Sequence, residues 1–197
     1  MKNKSTLLSS TERDSLQSGD VIFIAIHSPV YQMIARTAQS WDSHVGIIFR
    51  DANGELVVAE SRVPFCAYTT LDKFLARSVN GQFAIRRLHD ALTGEQAAQL
   101  RAECDRRMGG IYHLGFDFDA PRQFCSKLVY ETYRAALGIE VGRLETFREM
   151  LASNPAAPVG FWRLWFFGFI PWNRRTVTPT SQLRSSVLKT VVANVAS

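Results

Sequence analysis

Four residues, Asp51-Ala52-Asn53-Gly54, constrain this chain more than any others. They separate two apolar runs rich in β-branched residues, Val45 to Phe49 and Leu56 to Glu60. Two such runs around an Asn-Gly turn close as an antiparallel hairpin. The loop length then sets which side chains meet. If Asp51 to Asn53 is the loop, His44 faces Glu60 directly across the strands. If the loop is Ala52 to Gly54, the register moves by two and the pair become diagonal neighbours on the same face. A loop of even length would put them on opposite faces. A carboxylate beside an imidazole fixes its tautomer and stabilises the imidazolium, so His44 and Glu60 are a candidate base and orienting group. An ordinary surface His–Glu pair is the competing reading.

Around the hairpin the pattern is mixed. Val21 to Ile26 and Gln82 to Leu88 read as strands, and Tyr31, Ile34, Ala35 and Ala38 recur at helical spacing after Pro29. Thr93 can cap a helix from Gly94 to about Met108, with Ala97, Leu100, Cys104 and Met108 on one stripe. Further helices are expected over Phe124 to Leu137, ended by Gly138, and over Leu144 to Leu151. Residues 1–17 are polar and expected to form a loose arm with at most one short helical turn. Residues 18–152 would form the main domain, and the Pro-rich linker from Ser153 opens a C-terminal segment, residues 153–197, packed on that domain. The expected class is α+β with a mostly antiparallel sheet.

Three cysteines, Cys66, Cys104 and Cys125, cannot all pair within one chain, and none sits in a Cys-x-x-Cys pair. Neither a metal site nor a cofactor is expected. The N-terminal stretch lacks the apolar run of a signal peptide, and the aromatic-rich stretch Val159 to Trp172 contains Arg163 and falls short of the ~20 residues that span a bilayer. A cytoplasmic protein with free thiols is the expectation. The net charge of +5 permits contact with anionic surfaces, but no Lys/Arg run exceeds two residues, so nucleic acid is not an expected partner.

Thiol chemistry needs a thiolate. Cys104 lies on an apolar stripe and reads as a buried small hydrophobe. Cys125 instead opens a helix, where the dipole and unpaired backbone N–H groups favour a thiolate and could hold an oxyanion. A merely buried cysteine at a helix start is the plainer alternative. The remaining histidines, His27, His89 and His113, fall at a strand end, after a strand and in a loop.

Four segments occur in order: Ser18-Gly19-Asp20-Val21-Ile22-Phe23, Ser43-His44-Val45-Gly46-Ile47, Ala59-Glu60-Ser61 and Phe124-Cys125-Ser126-Lys127-Leu128-Val129-Tyr130. Together they resemble the circularly permuted papain-fold proteins related to NlpC-type amidases, the bacterial YiiX-like group, in which histidine precedes cysteine. The resemblance runs from about residue 18 to 140. It implies a permuted papain-like domain with Cys125 as nucleophile, His44 as base and Glu60 as orienting group. It also implies an active-site tyrosine at Tyr112, a candidate substrate contact. Two departures stand out. His113 follows Tyr112 where the group has aspartate, and Lys127 replaces the usual glutamate, a change expected to favour thiolate slightly.

The implied activity is hydrolysis of an amide or ester through an acyl-enzyme, on a cell-wall-type peptide or an acylated small molecule or lipid. The alternatives are an acyltransferase similar to the lecithin retinol acyltransferase-like proteins and a catalytically silent binding protein. The stretch Phe161 to Trp172 can cover the core or a dimer contact, or offer an aromatic, basic-flanked surface to lipid headgroups or acyl chains. Peripheral membrane association is therefore allowed, and the oligomeric state is left open.

Overall fold

The structure, a computed structural model, describes residues 7–195. In chain order the elements are α1 (Ser10–Ser15), β1 (Asp20–Ile26), α2 (Pro29–Thr37), β2 (His44–Arg50), β3 (Leu56–Ser61), β4 (Cys66–Thr70), α3 (Leu71–Leu75) and β5 (Ser78–Leu88). There follow α4 (Gly94–Asp105), α5 (Cys125–Leu137), β6 (Leu144–Thr146), α6 (Phe147–Ala152), α7 (Val159–Trp165), β7 (Arg175–Val177), α8 (Pro179–Leu183) and β8 (Leu188–Asn194). Six strands form an antiparallel sheet in the order β4-β3-β2-β1-β5-β8, and β6 pairs with β7 separately. This is the expected α+β class.

The hairpin takes the second of its two same-face registers. The amide of Asp51 donates to the Glu55 carbonyl at 2.9 Å, leaving Ala52 to Gly54 as the loop, and Gly54 adopts φ +80°, which a side chain would resist. Ile47 pairs with Ala59, so His44 and Glu60 are diagonal rather than directly opposite. Gly46 has no room for a side chain, since a Cβ there would meet Val58 Cγ1 at 2.4 Å and the Ala59 carbonyl at 2.9 Å.

Strand alternation gives the sheet two apolar faces. Val21, Phe23, Val45, Ile47 and Phe49 pack against Leu100 and Cys104 of α4 and Val129 and Tyr133 of α5. Ile22, Ile24, Ile48, Val58 and Ile85 pack on the other face against Leu71, Phe74 and Leu75 of α3. A third cluster joins Phe124 and Tyr130 to Phe147, Trp162 and Ile170, and so ties the C-terminal segment to α5.

Two expectations are corrected. Residues 7–17 are not loose, since Leu8 and Leu16 are buried on the α3 face; the short helical turn expected there is α1, which a Ser9–Glu12 capping box starts. Residues 1–6 of that expected arm lie outside the described residues. The helix expected over Leu144 to Leu151 begins only at Phe147. Thr146 caps it with Glu149, and Leu144–Thr146 extends to pair with β7. The C-terminal segment, expected to pack on the main domain, also supplies β8, the edge of the main sheet beside β5.

Candidate active site

Cys125 is the first residue of α5. Phe124 before it is extended (φ −139°) and gives no side-chain cap, so the first-turn amides are not taken by a capping side chain. The C-terminal segment fixes this helix start. Ser126 Oγ donates to the Val177 carbonyl at 2.7 Å, and Gln182 Nε2 donates to the Ser126 carbonyl at 2.9 Å.

His44 is the first residue of β2, opposite Ile24 of β1. By alternation it shares the sheet face of Phe74, on which its ring stacks at 5.5 Å, while Tyr31 of α2 meets it edge-on at 5.6 Å. Its Nε2 donates to Glu60 Oε2 at 2.6 Å, and both side chains are fully buried. The other nitrogen, Nδ1, is buried without a formed hydrogen bond and is the one left for the nearby Cys125 thiol. Burial opposes a charge on the ring, but Cys125 and Glu60 outweigh it and hold His44 up at about 9.

Glu60 is the most heavily partnered side chain here. Besides His44 it accepts from Thr69 Oγ1 at 2.7 Å, and Arg77 Nη2 donates to both of its oxygens at 2.8 Å. Arg62 stands 3.7 Å away. Burial alone would raise its pKa, yet His44, Arg77 and Thr69 bring it down to about 2. The guanidinium of Arg77 also lies 4.9 Å over the Phe74 ring, whose stacking on His44 completes a layered support.

The residues singled out in the sequence are thus brought together: Cys125, His44 and Glu60 form one cluster. Tyr112 joins it, buried and within hydrogen-bonding reach of Tyr31 and Cys125, with burial and the Cys125 charge pushing its hydroxyl pKa well up. His113 does not join it. Its Nδ1 accepts from the Gly115 amide at 2.9 Å, and it lines a surface groove. Lys127, expected from sequence to favour the thiolate, is engaged with other groups. Its ammonium is held by the carbonyls of Ala120 and Arg122 and stands 3.6 Å from Glu131. Tyr31, Thr69 and Arg77 were missed. Tyr31 sits on a helical stripe that reads as core, and Thr69 and Arg77 follow a stretch around Cys66 that carries no clear period, so nothing local marks them.

The other thiols lie elsewhere. Cys104 is fully buried, and burial pushes it up to about 12, while burial also raises Cys66. Beside Cys125 is a narrow apolar pocket of about 30 Å³, lined in part by Ile34, Phe116, Phe124, Met150 and Trp162.

The profile of the permuted papain-like amidase family named YaeF/YiiX, C92, matches residues 15–192. The chain belongs to this family. Its members are papain-like cysteine hydrolases, so the permuted papain-like fold and the general enzyme class are those of the family. The uncharacterized protein YiiX of Escherichia coli (strain K12) is 31% identical over 139 residues, covering 71% of this chain and 68% of YiiX. A crystal structure of metalloprotein yiiX from Escherichia coli O157:H7 superposes with a TM-score of 0.84 at 29% identity, covering 90% of this chain and 97% of the other. Among the described residues of this chain, no group of three or more His, Cys, Asp or Glu side chains could hold a metal ion. The Glu60 oxygens are already taken by Arg77, Thr69 and His44. The donor set therefore does not fit a metal. Among the described residues, no helix is long and apolar enough to cross a membrane.

Proposed function

We propose that this amidase-family protein cleaves an amide bond through an acyl-enzyme on Cys125. His44 Nδ1 takes the thiol proton, and the thiolate attacks the carbonyl carbon. The oxyanion is held by first-turn amides of α5. As the C–N bond breaks, the departing amine takes the proton back from His44, and water assisted by His44 then releases the acid. Glu60 stays ionised and holds the imidazolium through Nε2. The observation that carries this reading is the fully buried His44–Glu60 pair at 2.6 Å, with its second nitrogen left for a cysteine at a helix start.

The substrate in this reading is an acylated small molecule rather than a cell-wall peptide, with a small apolar group facing the walls of Phe116, Phe124 and Trp162 beside Cys125. Tyr112 contacts the scissile group. Three unpaired thiols favour a reducing compartment such as the cytoplasm.

Incubating the protein with N-acyl amino acids and with cell-wall-type peptides, followed by intact-mass analysis, tests this. The expected result is hydrolysis of the acyl amides and an acyl adduct on Cys125, both lost in Cys125→Ala. Turnover surviving in Cys125→Ala would overturn the mechanism. Turnover of peptides alone would overturn the substrate class.

A further inference from the structure

The stretch from α7 to β7 splits into two populations of apolar side chains. Trp162 and Ile170 are buried, and Trp162 Nε1 donates to Thr37 Oγ1 at 2.7 Å. These hold the segment on the body. Leu164, Phe167 and Phe169 do not, being 80%, 99% and 77% exposed. The backbone sets Phe167 outward. Phe167 at φ +53° and Gly168 at φ +97° form two successive left-handed residues, a turn that leaves the Phe167 ring in solvent. Core packing explains the first population and leaves the second unexplained.

Charge identifies what the second population meets. From residue 150 to 197 there is no Asp or Glu, while Arg163, Arg174, Arg175, Arg184 and Lys189 supply five cations, equal to the whole net charge of +5. The preceding 149 residues are balanced. Near the apolar tip, Arg174 and Arg175 are partly offset by Asp117 and Asp119. Arg163, on α7 beside Leu164, makes no ion pair among the described residues, and Arg148 stands over Trp172 at 5.6 Å. Two copies meeting through this surface would set like charges against each other. An anionic surface that yields to a protruding ring suits it better.

We infer that Leu164, Phe167 and Phe169 insert into an anionic lipid surface, with Arg163 and its neighbours at the headgroups. The tip is physically joined to the cysteine site. Trp165 Nε1 donates to the Leu114 carbonyl at 3.0 Å and Arg174 to the Gly115 carbonyl at 2.8 Å, within the loop that runs from Tyr112 to Phe116. Insertion would hold that loop, and the pocket that Phe116 walls, next to the bilayer. The inference adds to the proposed amidase reading but stands on exposure and charge alone.

Co-sedimentation with vesicles of phosphatidylcholine, with and without phosphatidylglycerol, tests it. The protein should pellet with the anionic vesicles, far less with the neutral ones, and be released by salt. Phe167→Ser with Phe169→Ser should lower binding by about tenfold or more, with unfolding temperature and Cys125 alkylation unchanged. Arg163→Glu should weaken binding to the anionic vesicles. A protein that stays in the supernatant, or a double variant that pellets as well as the parent, would overturn the inference. So would a dimer in gel filtration that the same double substitution dissolves without any vesicle binding. Loss of Cys125 reactivity in the parent would strike the amidase reading instead.

Discussion

Arg77 Nη2 lies 2.8 Å from both carboxylate oxygens of Glu60, the acid whose Oε2 also accepts from His44. In the proposed mechanism, a lone buried carboxylate beside an imidazolium and a thiolate would leave a costly excess of negative charge. With Arg77 in place, each negative group has a positive partner. In that mechanism Arg77 is a positioning residue that works through Glu60.

Replacing Arg77 with Gln should raise the Glu60 pKa from about 2, because burial then acts with less opposition. The acid limb of the kcat/KM profile should move up by about one pH unit, and the rate at neutral pH should fall by about tenfold. Arg77→Lys should recover part of both, since a point charge can replace the field but not the double contact. A variant that merely loosens the fold would lower activity without moving the limb.

The His44 pKa gives the alkaline side. It is raised from 6.5 to about 9, so the protonated ring stabilises the fold fully below 6.5 and this is lost as pH climbs through 9. Glu60 is lowered from 4.5 to about 2, so its contribution is present above 4.5 and lost as pH falls toward 2. Thermal unfolding should therefore be most favourable to the native state between about 4.5 and 6.5 as far as this pair is concerned. Activity should decline near pH 9. In Glu60→Gln the alkaline limb should shift down, because burial of the ring is no longer offset by a carboxylate. Titrating the His44 ring by NMR in both proteins checks the sign.

The pair itself was legible because a three-residue loop puts His44 and Glu60 on one face in either register. What surrounds it was not. Arg77 reaches Glu60 from the far side of α3, and Thr69 reaches it from β4, strands and turns whose pairing no local period announces. Alternation also hides a subtlety. His44 and Glu60 belong to the face of Phe74, whereas α5 packs on the opposite face, and Cys125 meets His44 because both stand at the beginning of their elements.

Limiting iodoacetamide should discriminate among the three thiols. Cys104, fully buried and pushed up to about 12, should be unmodified in the native protein, and Cys66, also raised by burial, should react slowly. Cys125 should react first, and His44→Ala should slow it near neutral pH. Peptide mapping after partial alkylation reads the order, and equal rates at Cys104 and Cys125 would contradict an activated nucleophile.

Leu8 provides the last test, on the stretch whose polar composition suggested a loose arm. Its side chain is fully buried against the sheet face on which α3 and its Phe74 pack, within one cluster that also holds Leu16, Ile48 and Val58. Removing it leaves a cavity in that layer, and Leu8→Ala should cost about 2–5 kcal/mol of stability. The same layer supports the His44 ring through Phe74, so the variant should also lose activity at temperatures below its unfolding midpoint. Denaturant unfolding and an activity profile against temperature would show both effects together. A change within about 0.5 kcal/mol, the usual size for a surface site, would mean that residues near the start of the chain add little to the packing beneath the active site.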